Sequence, residues 1–246
     1  ERALALALCA DPSERASALF ASFPPRSQGP AETLGALVEA QDHAEFVRAL
    51  ALETLARKRL ASLRGAVTRA LEEEGATSLV RETAAFALAS LDVDRRVERK
   101  DRPMLTIEKV LTLKGARMFE EASEAVLAEV AAILEEVEVG AGEAVFAKGD
   151  AGDSMYIIAD GRMRVSDGER TVDELGEGEV FGELALLDPE PRLFTVAALE
   201  DGRLLRLDRE AFLELMAGNI EIVRGVLHVL CERLRQAEAG VAAEGS

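Results

Sequence analysis

The chain has 246 residues, 48% of them hydrophobic, and its 46 acidic against 29 basic side chains leave a formal charge of -17. A length of this order suits two ordinary domains, and so acidic a chain repels the phosphates of nucleic acids and anionic membranes, which excludes nucleic acid as an expected partner. Two cysteines, Cys9 and Cys231, lack the paired spacing of a zinc or redox motif and read as reduced thiols in a cytoplasmic chain.

No apolar run reaches the roughly 18 residues that span a bilayer, and the N-terminus lacks the basic-then-apolar order of a signal peptide. The chain begins at Glu1, without methionine and inside a helical pattern, so a fragment or processed product of a longer protein is expected.

Residues 1–98 are predicted to be all helical. Alanine and leucine recur at helical spacing in Glu45–Leu60 (EFVRALALETLARKRL) and Leu79–Leu91 (LVRETAAFALASL). The two segments superpose with an offset of 33: Val47 on Val80, Arg48 on Arg81, Ala51 on Ala84, Leu55 on Leu88 and Ala56 on Ala89. Leu4, Arg15 and Ala18 precede Leu37, Arg48 and Ala51 by the same 33 residues. A period of this size marks stacked helix pairs. The valine-arginine pair opening an alanine-rich helix resembles HEAT-type repeats, in about three imperfect copies, and that resemblance implies a scaffold that binds other protein domains. The acidic run Glu72-Glu73-Glu74 reads as a solvated helix end.

The charge-dense stretch Asp92–Pro103 (DVDRRVERKDRP) marks a junction, with residues 99–104 as linker. Two helical segments follow, Leu105–Lys114 and Ala122–Glu135. From Val137 to Leu207 the pattern becomes short alternating runs punctuated by glycine, nine of them between Gly140 and Gly182. Such spacing predicts a β sandwich or barrel, most economically a jelly roll. From Arg209 the helical period returns. Ile220, Val223, Leu227, Leu230 and Leu234 make one apolar seam, and Ile222, Val226 and Val229 make a second.

The cassette Phe181–Val196 (FGELALLDPEPRLFTV) is the most distinctive segment. Gly182 through Ala185 read as the first turn of a short helix, whose free N–H groups suit an anion. Arg192, after the Pro189 and Pro191 turn, offers a planar fork to a phosphate.

Helices, glycine-punctuated β roll, this cassette and a terminal amphipathic helix, in that order, resemble the cyclic nucleotide-binding domain. The resemblance covers about Leu105–Arg235 and rests on GAGEAVFAKGDAGDSMYIIADGRMRV, FGELALLDPEPRLFTV and RLLRLDREAFLEL. It implies an α+β multidomain chain: helical repeats over 1–98, a cyclic nucleotide-binding domain over 105–236 and a tail over 237–246. It implies ligand contacts from Phe181, Gly182, Glu183, Leu184, Ala185, Arg192, Leu193 and Phe194, with Glu183 on a ribose hydroxyl and Arg192 on the phosphate. Val226, Leu227 and Leu230 are the expected lid.

Relatives follow the arginine with two small residues, whereas this chain has Leu193 and Phe194. Lacking the hydroxyl that often favours guanine, it is expected to take cAMP rather than cGMP. Crowding by the two bulky residues is expected to weaken binding about ten- to a hundredfold. The function read from the sequence is a non-enzymatic, bacterial-type regulatory module, with no cofactor or metal. Weak homodimerisation through the terminal helix is expected, and membership in a longer, membrane transporter-like protein. The competing readings are a protein-interaction scaffold with a pocket plugged by Phe194, and a transcription factor, which the charge and the lack of a helix-turn-helix after Arg235 oppose. His43 and His228 read as isolated histidines, and Asp150 and Asp153 as turn residues rather than a calcium loop.

Overall fold

The computed structural model describes residues 30–39, 45–92, 102–188, 190–228, 230–231 and 235. It separates into two compact units, divided between Leu111 and Thr112.

The first unit is helical: α1 (Pro30–Glu39), α2 (Glu45–Lys58), a 3-10 turn Ala61–Leu63, α3 (Arg64–Glu72) and α4 (Ser78–Asp92). Helix α2 packs on both α1 and α4, so every residue from Phe46 to Ala56 is buried, Arg48 and Glu53 included. Buried charges need partners, and both have them. Arg48 donates through Nε to Val38 O at 3.0 Å, and its fork meets the Glu73 carboxylate. Glu53 is held by Arg57 one turn on. Within the acidic run only Glu72 and Glu74 are exposed. Glu73 departs from the solvated-end expectation because a buried arginine recruits it across the unit.

The superposed positions are alike only in part. Val47 and Val80 are buried, as are Ala51 and Ala84, yet Arg48 is buried where Arg81 is exposed, and Ala56 is buried where Ala89 is exposed. Helix α4 buries one face, whereas α2 is covered all round. Leu4, Arg15 and Ala18 lie outside the described residues. Because Ala51 and Ala84 are fully enclosed in one cluster, Ala51→Leu and Ala84→Leu should each destabilise the unit by about 1–3 kcal/mol. Denaturant unfolding with unchanged midpoints in both would remove them as tight contacts.

Helix α5 (Thr106–Gly115) begins before the division and ends after it. Glu108 in its first turn accepts the Leu105 N–H at 2.9 Å and both Arg102 fork nitrogens at 2.8 Å, fixing the helix start as a capping-box glutamate does.

The second unit continues with a 3-10 turn Arg117–Phe119, α6 (Glu124–Ile133) and eight strands: β1 (Glu135–Val139), β2 (Ala144–Phe146), β3 (Ser154–Asp160), β4 (Met163–Asp167), β5 (Arg170–Leu175), β6 (Val180–Phe181), β7 (Thr195–Ala198) and β8 (Gly202–Asp208). They form two four-stranded sheets, ordered β1-β8-β3-β6 and β2-β7-β4-β5, with antiparallel pairs throughout. Tyr156, Ile158, Met163, Phe181, Val196 and Leu204 pack between them. Alternation explains the pattern on β4, where Met163 is buried and Arg164 exposed. Strand β3 is buried at Ser154 to Ala159 on both faces, because α7 (Leu184–Leu187) packs on its outer side and α8 (Arg209–Gly218) on neighbouring β8.

Asn219 interrupts the terminal helical pattern, donating its backbone N–H to Leu215 O at 2.9 Å and Nδ2 to the same oxygen at 3.1 Å. Helix α9 then runs over 220–228. Of its two apolar stripes, Ile222 and Val226 are buried, whereas Ile220 and Leu227 are exposed. Its Glu221 carboxylate accepts the Ser123 N–H at 2.7 Å, and that bond holds the carboxyl below its ordinary range. Among the described residues no helix is long and apolar enough to cross a membrane.

Candidate functional site

A cavity of about 1030 Å³ opens in the second unit, and Phe181–Ala185 and Arg192–Phe194 all line it. Two chain segments build it. The first leaves β6 at Phe181 and turns at Gly182, whose φ of +78° is a left-handed conformation; a β-carbon there would stand 2.6 Å from Arg192 Nη1. Only glycine satisfies both demands. Helix α7 then starts at Leu184, with Ala185 N–H donating to Gly182 O at 3.3 Å and Leu186 N–H to Glu183 O at 3.1 Å.

The second segment carries Arg192. Its backbone N–H donates to Asp150 O at 2.8 Å and its carbonyl accepts from Gly149 N–H at 2.9 Å, so the loop after β2 clamps its main chain. Asp150 also accepts the Ala147 N–H on Oδ2 at 2.8 Å, the turn role expected of it. Among the described residues no group of three or more His, Cys, Asp or Glu could hold a metal ion. Pro189 and His43 lie outside the described residues.

The Arg192 side chain is 6% exposed. Its fork donates to main-chain oxygens, Nη2 to Ser154 O at 2.7 Å and Nη1 to Gly182 O at 3.1 Å. The guanidinium lies 4.1 Å from the centroid of the Phe146 ring. Nε is buried without a hydrogen-bond partner, and among the described residues no carboxylate lies within ion-pair distance of the group. Surface pairing with Glu183 or Glu190 is thus not what holds it. Burial pushes the guanidinium down from its ordinary value, against the pull of Tyr156, Asp153, Glu183 and Asp150. A buried cation with an unsatisfied donor on a cavity wall is completed by an anion. Glu183, 3% exposed, stands on the same wall, and a carboxylate there accepts hydrogen bonds from hydroxyl groups.

Leu193 and Phe194, expected to crowd a ligand, line the cavity and are 59% and 37% exposed, so neither is overpacked against the protein itself. Of the three residues expected to form a lid, Leu230 lines the cavity; Val226 is buried and Leu227 exposed.

Sequence reading missed Ser154 and Phe146. Ser154 holds Arg192 through a main-chain oxygen, which no side-chain pattern displays. Phe146 faces the arginine because β2 pairs with β7 in the register Phe146↔Val196, a long-range pairing. The KGDAGD turn before Ser154 was the available signal.

Residues 136–219 match the cyclic nucleotide-binding domain family. The chain is similar to the CRP-like cAMP-activated global transcriptional regulator of Mycobacterium tuberculosis, with 32% identity over 135 residues that cover 53% of this chain and 60% of that protein. It is similar to the cyclic AMP receptor protein of Thermus thermophilus, with 37% identity over 102 residues covering 39% and 47%. The crystal structure of the Thermus thermophilus catabolite activator protein aligns with 29% identity and a TM-score of 0.49 over 52% of this chain and 62% of that one. The chain thus spans between about half and three fifths of these curated relatives' length. The second unit carries a cyclic nucleotide-binding domain with CRP-like homologues.

Proposed function

We propose that the chain is a non-enzymatic regulatory module that binds a cyclic nucleotide, cAMP in preference to cGMP, in the cavity beside Arg192. The arginine takes the ring phosphate, Glu183 accepts a ribose hydroxyl, and the Gly182–Ala185 turn packs against the sugar-phosphate. The observation that carries the reading is the buried guanidinium with its unpartnered Nε on an open cavity. Support also comes from relatives that are named for responding to cAMP.

Ligand acts by population shift. With Leu230 on the wall, a bound base favours a closed arrangement of the terminal helix, and the first unit, a HEAT-like arm, presents the change to partner domains in the cytoplasm. The arm supplies contacts and no chemistry of its own.

Titration calorimetry tests the ligand. The parent protein should release heat with cAMP, bind cGMP more weakly, and lose cAMP affinity on Glu183→Ala without unfolding. Absence of heat with either nucleotide at millimolar concentration would favour the alternative, a scaffold whose pocket has lost its ligand.

A further inference from the structure

We infer that Phe194 is the platform on which the base of the bound nucleotide stacks, making it a specificity residue of the site. This rests on the cyclic-nucleotide reading above and adds to it what holds the base. Three phenylalanines line the cavity, Phe146, Phe181 and Phe194. Two of them already have partners. Phe146 carries the Arg192 guanidinium at 4.1 Å, and Phe181 stacks on Tyr156 with ring centroids 5.2 Å apart and an interplanar angle of 14°. Among the described residues Phe194 has neither a ring nor a cation on its face, and it is 37% exposed.

The position of Phe194 suits the role. It follows Arg192 by two residues, so a ligand whose phosphate meets the guanidinium brings its base near this ring. Val172, 49% exposed, lines the same cavity and extends the apolar surface that a flat heterocycle needs. Aromatic stacking accepts any base face and reads no hydrogen-bonding edge. Phe194 therefore selects ligands that carry an aromatic base over sugar phosphates that lack one, and favours the larger purine surface over a pyrimidine.

The chain has no tryptophan, so Phe194→Trp installs a single clean reporter. Its emission should be quenched on saturation with cAMP and left unchanged by ribose 3′,5′-cyclic phosphate, which has no base. In calorimetry Phe194→Ala should weaken cAMP about tenfold, within the range of base stacking on aromatic side chains, and Leu193→Ala less than about twofold. Affinity for the base-free ribose cyclic phosphate should be the same in parent and Phe194→Ala.

If the parent binds cAMP and Phe194→Ala binds it equally or more tightly, the platform is wrong and the nucleotide reading stands. Equal losses of cAMP and of the base-free probe would also overturn it, because the side chain would then be acting on the fold of the loop. A parent that binds neither nucleotide removes both readings.

Discussion

Replacing Arg192 with leucine should abolish cAMP binding, with no heat detectable at millimolar ligand. Truncating one partner of a partly buried charge pair costs about 2–5 kcal/mol, and each 1.4 kcal/mol is tenfold in affinity. The change also strands the Ser154 and Gly182 carbonyls that the fork now satisfies, costing about 1–3 kcal/mol per unpaired buried group. Unfolding has to be separated from loss of the ligand contact, and Arg192→Lys does that. Lysine keeps the charge and loses the planar fork, so the protein should remain folded while affinity falls at least about thirtyfold, the lower end of that pair range. Undiminished binding in a folded Arg192→Lys protein together with Arg192→Leu would mean that the phosphate sits elsewhere.

Arg192 also shows how far the sequence could carry the site. The cassette supplies Gly182, Glu183 and Arg192 within a dozen residues of chain, and all three meet on one cavity wall. Local spacing was enough because all three lie in one short segment of chain, on either side of α7. What holds Arg192 in place is non-local: Ser154, 38 positions away, and the loop at Gly149 and Asp150. Main-chain acceptors have no sequence signature.

The bulky pair Leu193 and Phe194 was less legible. Residue volume predicts crowding, but whether a bulky side chain crowds a ligand or offers it a surface depends on how the backbone presents it to the cavity, and composition does not report that path. In the helical unit the same gap appears at Arg48 and Arg81. Equal spacing placed them as equivalents, yet α2 is covered on every side and α4 on one, so one arginine is buried with Glu73 and the other exposed.

Gly225→Ala should have the second large effect, and its sign is diagnostic. Alanine in place of a helix-interior glycine normally stabilises by about 0.5–1 kcal/mol. Here a β-carbon would stand 1.9 Å from Met118 O and 2.9 Å from Met118 C. Both are main-chain atoms, which cannot swing aside as a side-chain tip does, so α9 must lift from the Arg117–Phe119 turn. That movement exposes Ile222 and Val226 and breaks the Glu221 to Ser123 contact. The net result should be a loss of about 1–3 kcal/mol, the usual cost of overpacking, overriding the helix gain. Hydrogen exchange should accelerate over 220–228 and stay slow in β3 and β8, whose inner residues are fully buried. Lifting α9 also disturbs the cavity wall that Leu230, just beyond it, lines, so cAMP affinity should fall in parallel. A Gly225→Ala protein that gains stability, with unchanged exchange in α9, would show that this helix does not rest on the Met118 backbone.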